Sequence, residues 1–217
     1  MITFMKFEDL LAKLGEHGFF DLASVVQLTA ERRKSVQVQL YRWCKKGKLI
    51  PLRRGMYAVA EPYISRPINP AKMANHLYTP SYLSHHWALG YYGLIPEKVV
   101  TYTSISSRVP RNFENAFGVF TFRHIKPSVF FGYHSVQMDG QKVLMALPEK
   151  ALLDLWYLEA GGWAKARMAE MRFQNMELVN SDRLQAFAAR FSSPRIAIAV
   201  KAWLQLRDSE EDGTVSL

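Results

Sequence analysis

Between Glu31 and Arg54 the chain reads ERRKSVQVQLYRWCKKGKLIPLRR, a helical pattern that has to stop at a glycine and become a strand. Val36, Leu40, Trp43 and Cys44 share one face of a helical wheel, so the spacing predicts a helix from about Arg33 to Lys46, closed by Gly47. Two short apolar runs follow, Leu49–Leu52 and Met56–Val59, joined by Arg53-Arg54-Gly55, and read as a hairpin. A narrow apolar helix face and a two-stranded ribbon cannot bury themselves alone. They need partners, and the preceding thirty residues provide them. Phe4, Phe7, Leu10, Leu11 and Leu14 recur at helical spacing up to Gly15 and Gly18, and Asp21 can cap a second helix over 22–28. Three helices followed by a two-stranded wing is the winged helix-turn-helix arrangement.

The same window concentrates charge. It holds nine Lys/Arg and one acid, +8 of the chain's formal +9, and the rest of the chain is nearly neutral. Charge gathered in so short a stretch is a footprint for a polyanion, most commonly nucleic acid. The outward side of the predicted helix carries Lys34, Val38, Tyr41, Arg42 and Lys45, with Ser35, Gln37 and Gln39 on its flanks. These mix phosphate binders with groups that read base edges: Gln for adenine, Arg for guanine, Val for a thymine methyl. Arg32, Arg33 and Lys34 oppose the helix dipole, a cost that a phosphate across the helix start would offset. Arg53, Arg54 and Gly55 sit where a wing reaches flanking phosphate or minor groove. The plainer alternative is a solvated charged face. Helix and wing together favour duplex DNA.

Pro62, Pro67 and Pro70 punctuate a linker, and beyond it the pattern changes. Residues 81–92 read as a helix ending at Gly93. Strands are expected at 99–103, 119–122, 129–131 and 143–145, and an apolar helix from Pro148 to Leu158. Further helices are expected over 163–175, 182–191 and 193–207. The fold class expected is α+β: an N-terminal winged helix-turn-helix (1–61), a linker (62–71), a larger mixed domain with an antiparallel-type sheet and C-terminal helices (72–207), and a disordered tail (208–217).

Three segments resemble the AbiEi-type antitoxin family of bacterial phage-defence regulators: LIPLRRGMYAV at 49–59, SYLSHHWALGYYGLIPE at 81–97 and ALPEKALLDLWYL at 146–158. They occur in the family's order, and the resemblance spans roughly residues 5–160. It implies a winged helix-turn-helix that represses its own operon, joined to an antitoxin domain that counteracts a nucleotidyltransferase-type toxin encoded beside it, a type IV toxin–antitoxin pair. DNA reading then falls on the third helix and on Arg53, Arg54 and Gly55. The implied partners are double-stranded DNA with an inverted-repeat operator and the cognate toxin, bound directly or opposed indirectly. The helices after about residue 175 lie outside the resemblance.

Other chemistries find less support. The single Cys44 excludes an intramolecular disulfide, and its place on the apolar face makes it a small buried hydrophobe rather than a redox sensor. His85 and His86 are adjacent and diverge on a helix, so no zinc pair is expected. Glu149 and Lys150 diverge likewise, which argues against a metal-dependent nuclease built on Pro148, Glu149, Lys150 and Asp154; Lys150 and Asp154 read as a structural helical pair. No phosphate-cradling or nucleophile-elbow motif occurs, and neither enzyme activity, metal nor cofactor is expected. An RNA-binding or protein-interaction module is the alternative function. Tyr102, Phe120, Phe122, Phe130, Phe131 and Tyr133 could stack bases, and Arg108, Arg111, Arg123 and Lys126 could form a second basic patch. No long apolar run or signal-peptide pattern appears, so no membrane association and a cytoplasmic location are expected. With no heptads, the expected state is a monomer or weak dimer that pairs on DNA.

Overall fold

The computed structural model describes residues 5–14, 18–64 and 66–214, with side chains to Ser209. Phe4 and Gly15, placed above at the ends of the first helix, lie outside the described residues. Helix α1 (Phe7–Leu14) buries Phe7, Leu10 and Leu14, one face of two turns. Strand β1 (Phe19–Asp21) leads into α2 (Leu22–Thr29), whose first turn is capped by Asp21: Ser24 N donates to Asp21 Oδ1 at 2.8 Å. Ala30, left-handed with φ 53°, ends α2. Helix α3 (Arg33–Lys45) buries Val36, Leu40 and Trp43, and Gly47 (φ +68°) turns the chain into β2 (Leu49–Arg53) and β3 (Met56–Val59). The sheet order is β1-β3-β2, antiparallel throughout. Phe7 meets Trp43 edge-on at 5.2 Å in the small core these elements enclose.

The hairpin also belongs to the rest of the molecule. Leu52, Met56 and Ala58 are buried in the larger core, and Asn115 Nδ2 donates to Leu52 O at 3.3 Å. A register shift between Pro51 and Arg53 marks a bulge in β2 at that contact. The linker is shorter than expected. Asn69 caps α4 (Pro70–Leu77), accepting from Ala71 N at 2.8 Å, so helix already occupies its last two positions.

The body is built on a six-stranded sheet in the order β6-β7-β5-β4-β9-β8. Its strands are β4 (Ser81–Leu83), β5 (Tyr102–Ser106), β6 (Arg111–Asn115), β7 (Gly118–His124), β8 (Tyr133–Met138) and β9 (Gln141–Ala146). The sheet is mixed rather than of antiparallel type: β4 runs parallel to β9, and β5 to β7. The expected helix over 81–92 is strand, then helix. Ser81–Leu83 takes a central place between β5 and β9, and only His85–Tyr91 coils, as α5. Pairing on both sides with full burial of Tyr82 and Leu83 overrides the local helical pattern. The strand expected at 129–131 is a 3₁₀ turn over Pro127–Val129.

Helix α6 (Pro148–Leu158) is buried from Glu149 to Trp156. The remaining helices, α7 (Lys165–Glu170), α8 (Ser181–Ala189) and α9 (Pro194–Thr214), pack around it and one another, burying Met168, Leu184, Ala199 and Trp203. The tail expected to be disordered from 208 continues α9 to Thr214. Extending an anchored helix avoids the cost of nucleation, and Ser209 to Asp212 contain no breaker.

Candidate nucleic-acid interface

Lys34, Val38, Tyr41 and Lys45 recur along α3 so as to form one stripe, and all four are exposed. Val38 is 42% and Tyr41 61% accessible, apolar surface set among cations. Lys45 Nζ lies 5.7 Å from the Tyr41 ring centroid. Gln37 and Arg42 flank the stripe, also exposed, whereas Ser35 is half-buried in the first turn. No side chain caps the start of α3, where Arg32 and Arg33 stand exposed. The window's one acid is turned away: Glu31 Oε1 accepts from Met5 N at 3.1 Å.

Of the nine bases, Lys48 and Arg53 are held against the fold. Lys48 Nζ sits 4.6 Å from the Phe7 ring centroid and 3.9 Å from Glu8 Oε1. Arg53 is turned toward the body: its Nε donates to Leu77 O at 2.7 Å, at the end of α4, and its Nη1 to Arg54 O at 3.2 Å. The other seven, Arg54 included, are exposed. Gly55 holds φ +75°, a conformation that favours glycine, and its carbonyl accepts from Leu22 N at 2.8 Å, which ties the turn to the start of α2. Sequence reasoning put Arg53 and Arg54 side by side; the bulge separates their roles. Cys44 is half-buried on the inner side, and burial pushes its thiol above the usual range, which keeps it protonated at neutral pH.

Arg108, Arg111, Arg123 and Lys126 do not form one patch. Arg111 pairs in register with Phe122, so Arg111 and Arg123 project from opposite faces of the sheet. Arg108 stacks on Tyr78 at 4.5 Å and donates to Thr79 O at 3.0 Å. Arg123 donates to Leu158 O at 3.2 Å and lies 3.5 Å from Glu159 Oε1. Lys126 is exposed beyond β7. Of the strand aromatics, Phe120 and Phe122 are fully buried, against Tyr102 and Tyr78, and are closed to bases, whereas Tyr133 is exposed.

Two polar clusters in the body have other characters. Lys150 and Asp154 form a buried ion pair, with Lys150 Nζ donating to Tyr82 OH at 2.8 Å. Asp154 Oδ2 accepts from Ser84 Oγ at 2.7 Å and Tyr82 OH at 3.1 Å. Beside it, Glu149 Oε1 accepts from Asn180 N at 2.8 Å, tying α6 to the start of α8, a role without a local signal in the sequence. His85, His86, Glu97, Arg123 and Glu159 line a cleft of about 660 Å³. His85 is buried with φ 60°, and its Nε2 lies 3.2 Å from Glu159 Oε1. Among the described residues no group of three or more His, Cys, Asp or Glu is placed to hold a metal ion.

Burial first, then the charges of His86 and Arg123, lowers the His85 pKa from 6.5 to about 3, so its imidazole is neutral beside Glu159. The unfolded chain therefore takes a proton that the native chain rejects. Stability from this group is complete above about pH 6.5 and is lost as pH falls from there toward 3. Between pH 7 and 5 the native protein should lose about 2 kcal/mol more than His85→Asn, a substitution that tolerates the left-handed backbone and does not titrate. Urea unfolding at both pH values checks this. Parallel losses in the two proteins would assign the acid sensitivity to other groups.

A scan against known protein families gives no match to this chain, and no curated protein is significantly similar to it.

Proposed function

We propose that the chain is a sequence-specific duplex DNA binder, an autorepressor whose N-terminal unit is a winged helix-turn-helix. The observation that carries this reading is the exposed stripe of α3, with Gln37 and Arg42 beside it and most of the chain's net charge around it. The element order α1-β1-α2-α3-β2-β3 and the sheet order β1-β3-β2 support it, since they set α3 against α2 and leave its outer side in solvent. One such unit reads a short site, so specificity calls for two copies on an inverted repeat. The test titrates the protein with its own promoter duplex and with single-stranded RNA of equal length, at rising salt. Preferential, salt-sensitive duplex binding supports the reading. Equal or tighter RNA binding favours an RNA-binding module instead.

The AbiEi-type resemblance adds an antitoxin role against a nucleotidyltransferase toxin. Because Leu52, Met56 and Ala58 lie in the larger core, cutting the chain after the hairpin would expose apolar surface. The separation of roles is better tested on the full chain carrying Lys34→Ala, Tyr41→Ala and Arg42→Ala. Co-expressed with a nucleotidyltransferase encoded beside it, this variant should rescue growth although operator binding is lost. Rescue that falls in step with operator affinity would make the antitoxin effect transcriptional. Among the described residues no helix is long and apolar enough to cross a membrane.

A further inference from the structure

A second concentration of positive charge lies away from the α3 stripe. Lys13 of α1, Arg53 of the hairpin, Arg66, Lys72 of α4 and Lys142 of β9 line a cleft of about 570 Å³ between the N-terminal unit and the body. Among the described residues Asp21 is the one acid on its wall, and it is engaged as the α2 cap. Segments far apart in the chain supply these cations, so sequence clustering does not reveal them. Beneath them the wall is apolar, with Leu14, Phe19, Phe20, Leu28, Met56 and Ile68. The volume falls in the range of roughly 300–1,000 Å³ typical of small-molecule sites.

The cations are positioned rather than loose. Lys13 Nζ donates to Leu28 O at 2.8 Å and Lys72 Nζ to Lys142 O at 3.0 Å. Each bond uses one of an ammonium's three donors and leaves the charge over the cleft. Arg53 is fixed by Leu77 O. Phe19 is half-buried, held edge-on to His76 at 5.2 Å. A cationic rim above an aromatic and aliphatic wall matches a ligand with one anionic end and one flat apolar end.

We propose that this cleft binds a nucleoside phosphate, its phosphate among Lys13, Lys72 and Lys142 and its base against the Phe19 side. Two sources share that chemistry, a free nucleotide and a nucleotide of a single strand. A ligand here touches α1 and α2 on one wall and α4 and β9 on the other, and so fastens the N-terminal unit to the body. The site does not involve α3 and stands whether or not α3 reads duplex DNA.

Equilibrium titration of the full chain with labelled ATP, and separately with labelled dT4, tests it. At least one probe should bind saturably at one per chain. Lys72→Glu with Lys142→Glu should weaken that binding tenfold or more, while Lys165→Glu with Lys201→Glu, an equal charge change at exposed positions of α7 and α9, leaves it within twofold. Should the first pair alter thermal melting, Lys142→Glu alone, an exposed side chain, carries the comparison and is expected to cost at least threefold. Tighter binding of ATP assigns the site to a free nucleotide, and tighter binding of dT4 to a strand. Absence of saturable binding by both probes, or equal losses in the two charge pairs, overturns the proposal.

Discussion

Asp154→Ala is expected to destabilise the fold by about 3–5 kcal/mol, because it leaves the Lys150 ammonium buried without its counter-ion. Neither side chain of the pair touches solvent, and Tyr82 and Ser84 complete its hydrogen bonding. Burial pulls Lys150 below the usual lysine range and pushes Asp154 above the usual carboxylate range, while each partner opposes the shift of the other. Removing Asp154 removes that opposition, so Lys150 loses its proton more readily in the native state than in the unfolded chain. The native variant then binds fewer protons, and its stability should rise as pH is raised toward the unfolded lysine value. Replacing both residues, as Lys150→Met with Asp154→Leu, removes both buried charges and should recover much of the loss. Urea unfolding of the two variants at pH 7 and pH 9 measures this. A single-variant loss below about 1 kcal/mol would show that water reaches the pair.

This pair was readable from its helical spacing, but its depth was not. Lys150 and Asp154 are four apart in an apolar helix, and the bounds of α6 follow from Pro148 and the end of the apolar run. Tyr82 and Ser84 join them only because residues 81–83 pair at the centre of the sheet, which no local pattern announces. Two further strands that escaped sequence reading, RNFEN at 111–115 and YHSVQM at 133–138, are the two edges of that sheet. Edge strands need bury little and can stay polar, so alternation is weak where pairing alone defines them. In the N-terminal unit Gly47 and Asp21 marked helix ends through single-residue chemistry, and the α3 face followed from its period. The orientation of Arg53 did not, because it depends on a bulge and on a carbonyl 24 residues away. The cationic cleft was invisible for a related reason, since four of its five Lys/Arg lie outside the basic window.

Arg42→Ala and Gln37→Ala are each expected to cost about 1–3 kcal/mol of operator affinity, about 5- to 150-fold, and to relax preference at one base position. Both side chains are exposed beside the Val38–Tyr41 stripe, with no role in the small core under α3. Arg33→Ala and Lys34→Ala should act differently. They stand at the uncapped start of the helix and should weaken binding to every duplex alike, each lowering the slope of log affinity against log salt by about 1. The hairpin divides in the same way. Arg54→Ala should weaken binding broadly with melting unchanged, since Arg54 is exposed at the turn. Arg53→Ala should instead lower stability by about 1–3 kcal/mol, through its lost hydrogen bond to Leu77 O. Competition titrations with operator and scrambled duplexes at several salt concentrations separate these effects, with thermal melts run alongside. If Arg42→Ala and Gln37→Ala lower operator and scrambled affinity equally, α3 contacts phosphate alone and sequence reading lies elsewhere. If none of the four α3 variants changes affinity, the exposed charge is only a solvated face and the DNA-binding assignment fails with it.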